Sequence, residues 1–254
     1  MKNLAFLIML SDKYYNAGTK PFVDISLGLA KKGYNPYLLF FRSASYSDVK
    51  NKFPQLQAYI FDSMDKINKF IEKKNIEIVI SDDFIYRLKI FKKIKSKHKV
   101  IYVQHITGIS IMNDLSNKQN IKLRLASYLP WKLVIRNYVR LLRNADVIIG
   151  NSLTTTHYLS SLFGISSSGV VYPPVGVDLH LTKVGTRKGI LVFKGHKPDF
   201  HVRNLESDLK VLREVDEVLI WGEGGLENIR DDDLSRLYSS VKLVYSSTSF
   251  ELLC

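Results

Sequence analysis

Short, continuous apolar runs rich in Val, Ile, Tyr and Phe recur along this chain, alternating with segments of helical period almost throughout. The runs are Leu4–Leu10, Pro36–Phe41, Gln57–Phe61, Glu77–Ser81, Val100–Gln104, Val147–Gly150 and Val170–Tyr172. A strand that is apolar on both faces has to be covered on both faces, and strands that return through helices run parallel. The pattern predicts a doubly wound α/β sheet, with helices near Thr19–Lys32, Met64–Lys74, Phe84–Lys97 and Leu153–Phe163, and a further helical stretch within about 106–144. After Pro173-Pro174 the periodicity stops, and Val175–Lys188 reads as a linker. A shorter α/β run follows, with strands at Gly189–Phe193, Val218–Trp221 and Leu243–Ser246 and helices near Arg203–Arg213 and Asp231–Ser239. Two lobes are expected, at 1–175 and 176–254, the second incomplete. No internal repeat is visible beyond the shared rhythm.

With 46% apolar and 24% charged residues, the composition excludes disordered and low-complexity classes. The single cysteine, Cys254, rules out an internal disulfide and a thiolate metal cluster, which favours a reducing cytosol. Ser11-Asp12-Lys13 ends the first apolar run without a small-residue cleavage site, so that run reads as a strand and not a signal peptide. No stretch reaches the roughly 18 apolar residues of a membrane span. The expected location is cytoplasmic, at most peripheral on the membrane inner face.

The net charge of +13 is concentrated. Between Phe84 and Ala145 there are fourteen basic residues and one acid, Asp114, and the rest of the chain is balanced. Within that stretch Lys132, Arg136, Arg140 and Arg143 fall on one helical stripe, with Trp131, Val134, Ile135, Tyr138, Leu141 and Leu142 opposite. Such a face attracts phosphate, whether on an anionic membrane, a lipid-linked acceptor or nucleic acid, although a solvated face is the ordinary reading of a charge run. The spacing of Tyr128, Trp131 and Tyr138 suits burial better than base stacking, so nucleic acid is not expected.

In an open parallel sheet, ligand groups sit on loops leaving the carboxyl ends of strands. Asn16-Ala17-Gly18-Thr19 precedes the first helix, where backbone N–H groups can meet an anion, although no G-x-G-x-x-G or Walker pattern is present. His105 follows the strand ending at Gln104 and can exchange a proton or hold a hydroxyl near neutral pH. Asp82-Asp83 and Asp231-Asp232-Asp233 read as helix caps, and neither run has ligand spacing for a metal. In the second run Gly195, His196, Lys197, His201 and Arg203 cluster after one strand and suit a diphosphate. Glu223 and Glu251 follow the next two strands.

Taken in order, these segments resemble the GT-B fold glycosyltransferases, most closely the retaining glycosyltransferase family 4 type. The matching residues are Ala17-Gly18, Gly28 to Tyr34, Ala145 to Ser152, Val171-Tyr172-Pro173-Pro174-Val175-Gly176-Val177-Asp178, Val218 to Gly225, and Leu237 to Glu251. The resemblance implies two Rossmann-type lobes, a nucleotide-sugar donor held mainly by the second, an acceptor on the first, and transfer with retention, without cofactor or metal. By position it implies that Gly18 faces the donor diphosphate, His105 lies near the transferred sugar, Glu223 flanks the base and Glu251 contacts the sugar. It also implies that the basic helices dock on a membrane carrying a lipid-linked acceptor.

The chain departs from the family at Gly195-His196, where the family has Gly-Arg, and at Leu252, where it has glycine. The family's second glutamate, eight residues after the first, falls beyond Cys254. Two expectations follow. Either a further chain supplies the missing C-terminal segment, or this is a non-catalytic glycosyltransferase-like subunit that uses its basic face to hold a membrane or a partner.

Overall fold

The computed structural model describes residues 2–9, 19–104, 131–174, 187–193, 205–221 and 237–246. The chain divides into two compact units, Met1–Pro174 and Val175–Cys254.

The first unit runs β1 (Asn3–Met9), α1 (Lys20–Lys31), β2 (Asn35–Phe41), α2 (Ser45–Lys52), β3 (Gln57–Phe61), α3 (Met64–Lys73), β4 (Ile78–Asp82), α4 (Ile85–Phe91), β5 (His98–Val103), α5 (Trp131–Leu142), β6 (Val147–Gly150), α6 (Leu153–Phe163) and β7 (Gly169–Val170). All seven strands are parallel, in the order β3-β2-β1-β4-β5-β6-β7. The two faces of the sheet sort by strand alternation. Ala5, Leu7 and Met9 of β1 join one core cluster with Leu88 of α4, Tyr138 of α5 and Leu159 of α6. Leu4, Phe6 and Ile8 join the other, with Phe22 and Val23 of α1 and Val49 of α2. Double coverage is why β1 reads as an unbroken apolar run: six of its seven residues are buried.

Local chemistry sets the helix ends. Pro21 occupies the first turn of α1, where a missing N–H costs nothing. Ser152 caps α6 by accepting from Thr155 N–H at 3.1 Å. Gly164, at φ +60°, ends α6 in the left-handed conformation, with its N–H on Ser160 O and Ile165 N–H on Leu159 O.

Three segments differ from the sequence reading. Ser45–Lys52 is helical although its period is nearly silent, because only Ser45 and Val49 are buried, with Tyr46 half-buried against Phe40. The helix expected over Phe84–Lys97 stops at Phe91, and tight turns from Lys93 N–H to Ile90 O and Ile94 N–H to Phe91 O bury Ile94 while the following lysines stay in water. β7 is only two residues, Gly169–Val170, because its ladder to β6 ends there and the chain then reaches Pro173-Pro174.

The second unit contains β8 (Ile190–Phe193), α7 (Leu205–Val215), β9 (Val218–Trp221) and β10 (Leu243–Ser246), with parallel strands in the order β10-β8-β9. Ile190, Val192 and Leu209 form its buried cluster. Gly189, at φ +73°, enters β8 so close to Glu217 that an added Cβ would stand 2.8 Å from that carbonyl oxygen.

Candidate functional site

Strand order reverses between β1 and β4, so the carboxyl ends of these strands flank the crevice where open α/β sheets take ligands. The polar groups of the first unit gather there. Asp82 and Asp83, at the end of β4, are both buried. Asp82 accepts a hydrogen bond from an Arg87 Nη1–H on α4, and its other oxygen stands 3.5 Å from Phe84 N–H. Arg87 is itself buried, with its guanidinium 4.8 Å from the Phe84 ring centroid and 5.7 Å from that of Tyr86. Burial works against the Arg87 charge, but Asp82 and then Tyr86 outweigh it, so its pKa lies above the ordinary guanidinium value. This is a fixed ion pair.

Asp83 ties three elements together. Its Oδ1 accepts Gln104 N–H at 3.0 Å, and its Oδ2 accepts the Tyr138 hydroxyl of α5 at 2.9 Å. Gln104 O in turn accepts from Asn151 Nδ2 at 3.1 Å, and Asn151 N–H donates to Val103 O at 3.0 Å. The ends of β4, β5 and β6 are thus stitched in one line. At the end of β6, Gly150 is required by space: a Cβ would lie 2.6 Å from the Thr156 methyl and 3.3 Å from Ser152 O.

Three buried side-chain atoms in the described chain have no hydrogen-bond partner, namely Ser81 Oγ, Arg87 Nε and Gln104 Nε2. All three belong to this edge. Among the described residues no group of His, Cys, Asp and Glu is arranged to hold a metal ion.

The comparisons with known proteins bear on architecture. No family pattern and no curated protein matches the sequence. Solved structures do match along nearly its whole length. A glycosyltransferase from Rickettsia africae superposes with a TM-score of 0.55 at 13% identity, covering 98% of this chain and 70% of its own. An α-glucosyltransferase in complex with UDP and a DNA containing a HMU base gives 0.51 at 15%, covering 99% and 73%. A UDP-N-acetylglucosamine 2-epimerase from Listeria monocytogenes gives 0.51 at 11%, covering 98% and 75%. The fold is of the GT-B kind. The parallel seven-stranded sheet with helices on both faces, followed by a second α/β unit, is the architecture these structures share with the chain.

The candidate residues Gly18, His105, Gly195, His196, Lys197, Arg203, Glu223 and Glu251 lie outside the described residues. In the chain Gly18 directly precedes Thr19 at the start of α1, and His105 directly follows Gln104. Of the basic stripe, Lys132 belongs to α5, and Arg136, Arg140 and Arg143 are exposed. Packing adds what the sequence does not show. α4 lies against α5, so the exposed Lys89, Lys92 and Lys93 belong to the same layer as the α5 stripe. None of these six exposed cations pairs with a described carboxylate. Leu133, 59% exposed, shares the α5 stripe with them. No described helix is long and apolar enough to cross a membrane.

Asp83, Tyr138, Gln104 and Arg87 are the site residues that sequence reasoning missed. The one sequence signal was the Asp82-Asp83 pair at a strand end, and the structure corrects its reading as helix caps: Phe84 is the N-cap residue of α4 and no side chain caps that helix, while Asp82 holds Arg87 and Asp83 holds Gln104 and Tyr138.

Proposed function

We propose that this chain moves a sugar from a nucleotide-diphosphate sugar to an acceptor, with the donor on the second unit and the acceptor on the first. The observation that carries this reading is a polar, buried carboxyl edge at the strand-order switch of the first sheet, in a chain whose whole length follows glycosyltransferase structures. Transfer with retained anomeric configuration and without metal places the burden of neutralising the leaving diphosphate on cationic side chains and helix N-termini. His196, Lys197 and Arg203 after β8 and the turn containing Gly18 before α1 are the groups assigned to that work. His105 and Glu251 are assigned to the transferred sugar, and Glu223 to the base.

The exposed cations of α4 and α5, with Leu133 among them, support an anionic membrane surface as the place where the acceptor is met, which makes the protein cytoplasmic and peripheral. The same face favours one second reading, a non-catalytic subunit that holds a membrane or another chain.

Titration calorimetry with UDP, UDP-glucose and UDP-N-acetylglucosamine, followed by mass spectrometry of products, tests the reading. Binding of a nucleotide sugar with transfer or slow hydrolysis is expected. Conversion of the sugar to its 2-epimer in place of transfer would sink it, as would failure to bind any member. The membrane part is tested by co-sedimentation with phosphatidylserine-containing vesicles against phosphatidylcholine vesicles. Retention by the anionic vesicles that survives replacement of His105 and Glu251, in a protein without turnover, selects the second reading.

A further inference from the structure

From the geometry at the end of β5 we infer that the Gln104 carboxamide is a ligand-reading residue, donating from Nε2 to a neutral hydroxyl oxygen of the sugar-bearing substrate bound at the first unit's carboxyl edge; this rests on the sugar-transfer reading above.

The Gln104 backbone is held on both sides, its N–H by Asp83 and its C=O by Asn151. The side chain therefore leaves from a fixed point. Strand alternation puts it on the face of Tyr102 and away from the face that carries Tyr138. The Tyr102 ring stands 6.1 Å from that of Phe22 in the first turn of α1, so this face leads toward the α1 N-terminus and the switch between β1 and β4.

Gln104 is 93% buried, since 7% of its surface is exposed, yet the Nε2 hydrogens meet no acceptor among the described residues. Buried amide donors without partners are rare in folded proteins, because leaving one unmade is costlier than never having built it. A bound ligand that supplies the acceptor accounts for the vacancy.

The sugar-bearing substrate offers the carboxamide neutral oxygens. Its diphosphate is assigned above to the cations after β8 and to the turn before α1, and a neutral amide N–H donates to a hydroxyl oxygen with no charge to balance, which leaves a sugar or alcohol hydroxyl as the fitting partner. The hydroxyl can belong to the donor's sugar or to the acceptor, and the two are separable.

The test compares the wild-type chain with Gln104→Met, which keeps length and burial without a donor, and Gln104→Glu, which exchanges the donor for an acceptor. The probes are UDP, UDP-glucose and methyl α-glucoside, each titrated by calorimetry. Loss of one neutral hydrogen bond predicts a three- to tenfold weaker affinity, about the effect of such a bond, for the probe whose hydroxyl is read. A loss confined to UDP-glucose, with UDP unchanged, assigns the hydroxyl to the donor's sugar, and a loss confined to methyl α-glucoside assigns it to the acceptor; either supports the inference. Unchanged affinities in both variants, or an equal loss for UDP itself, overturn it while leaving sugar transfer standing. A wild-type chain that binds none of the three overturns both together. Thermal melting gives an independent check: Gln104→Met is expected to melt no lower than wild type, and a drop of several degrees would show a structural partner for the amide.

Discussion

Tyr138→Phe removes one atom from the interior of the first unit and leaves the packing intact. The tyrosine is fully buried, its hydroxyl donates to Asp83 Oδ2 at 2.9 Å, and its ring meets Phe163 edge-on at 5.7 Å between centroids. Phenylalanine keeps the ring contact and opens no cavity, so the cost is that of one hydrogen bond to a buried carboxylate, about 1.5–3 kcal/mol. The chain's two tryptophans make the measurement specific, since Trp131 lies in α5 of the first unit and Trp221 in β9 of the second. In a Trp221→Phe background, urea unfolding followed by fluorescence reports the helix that carries Tyr138. The midpoint is expected to fall by about 1 M with an unchanged slope, taking an m-value of about 2 kcal/mol per M. Asp83→Asn in the same background should couple to Tyr138→Phe, so that the double variant costs less than the sum of the two singles. A loss below about 0.5 kcal/mol, the range of ordinary surface substitutions, together with strict additivity, would refute the bridge from Asp83 to α5.

Three further outcomes are expected. Arg87→Leu leaves the Asp82 carboxylate buried without its cation and should cost about 3–5 kcal/mol, read by the same Trp131 unfolding assay, with Asp82→Asn partly rescuing it. Gly189→Ala puts a methyl 2.8 Å from Glu217 O at a positive φ, so the Trp221 unfolding transition should shift down by about 1–3 kcal/mol while that of Trp131 stays in place. The hydrogen bond from Lys242 Nζ at 2.7 Å holds the Asp216 carboxyl below its ordinary pKa, as does its bond to Glu217 N–H. A depressed folded value means that its contribution is complete above the unfolded pKa of about 3.9 and is lost as pH falls through the folded value. Trp221 midpoints should therefore decline in acid below about pH 4, and Asp216→Asn should flatten that decline.

The strands of this protein are legible in its sequence because double coverage makes them continuous in hydrophobicity, as in Leu4–Met9 and Leu38–Phe41, whose residues divide alternately between two cores. α2 is not legible, since a helix of little more than two turns with only Val49 and the half-buried Tyr46 as apolar inward residues leaves no period. The α5 stripe is legible through its spacing, and Tyr138 lies on the apolar side as that spacing requires. What spacing cannot supply is the neighbour. The merging of Lys89, Lys92 and Lys93 with the α5 stripe depends on α4 packing against α5. Asp83 resembles Asp82 in sequence, yet its partners lie 21 and 55 residues away, and only the register of β4 on β5 and the path of α5 bring them together.

Asp83 also fastens both sides of the excursion between β5 and α5, through the amide at residue 104 where the chain departs and the phenol at residue 138 on the helix that brings it back. With both gateposts set on one carboxylate, the departure of the chain from β5 and its return on α5 answer to the same buried group. A change at Tyr138 loosens the returning helix alone, whereas a change at Asp83 unfastens both ends at once.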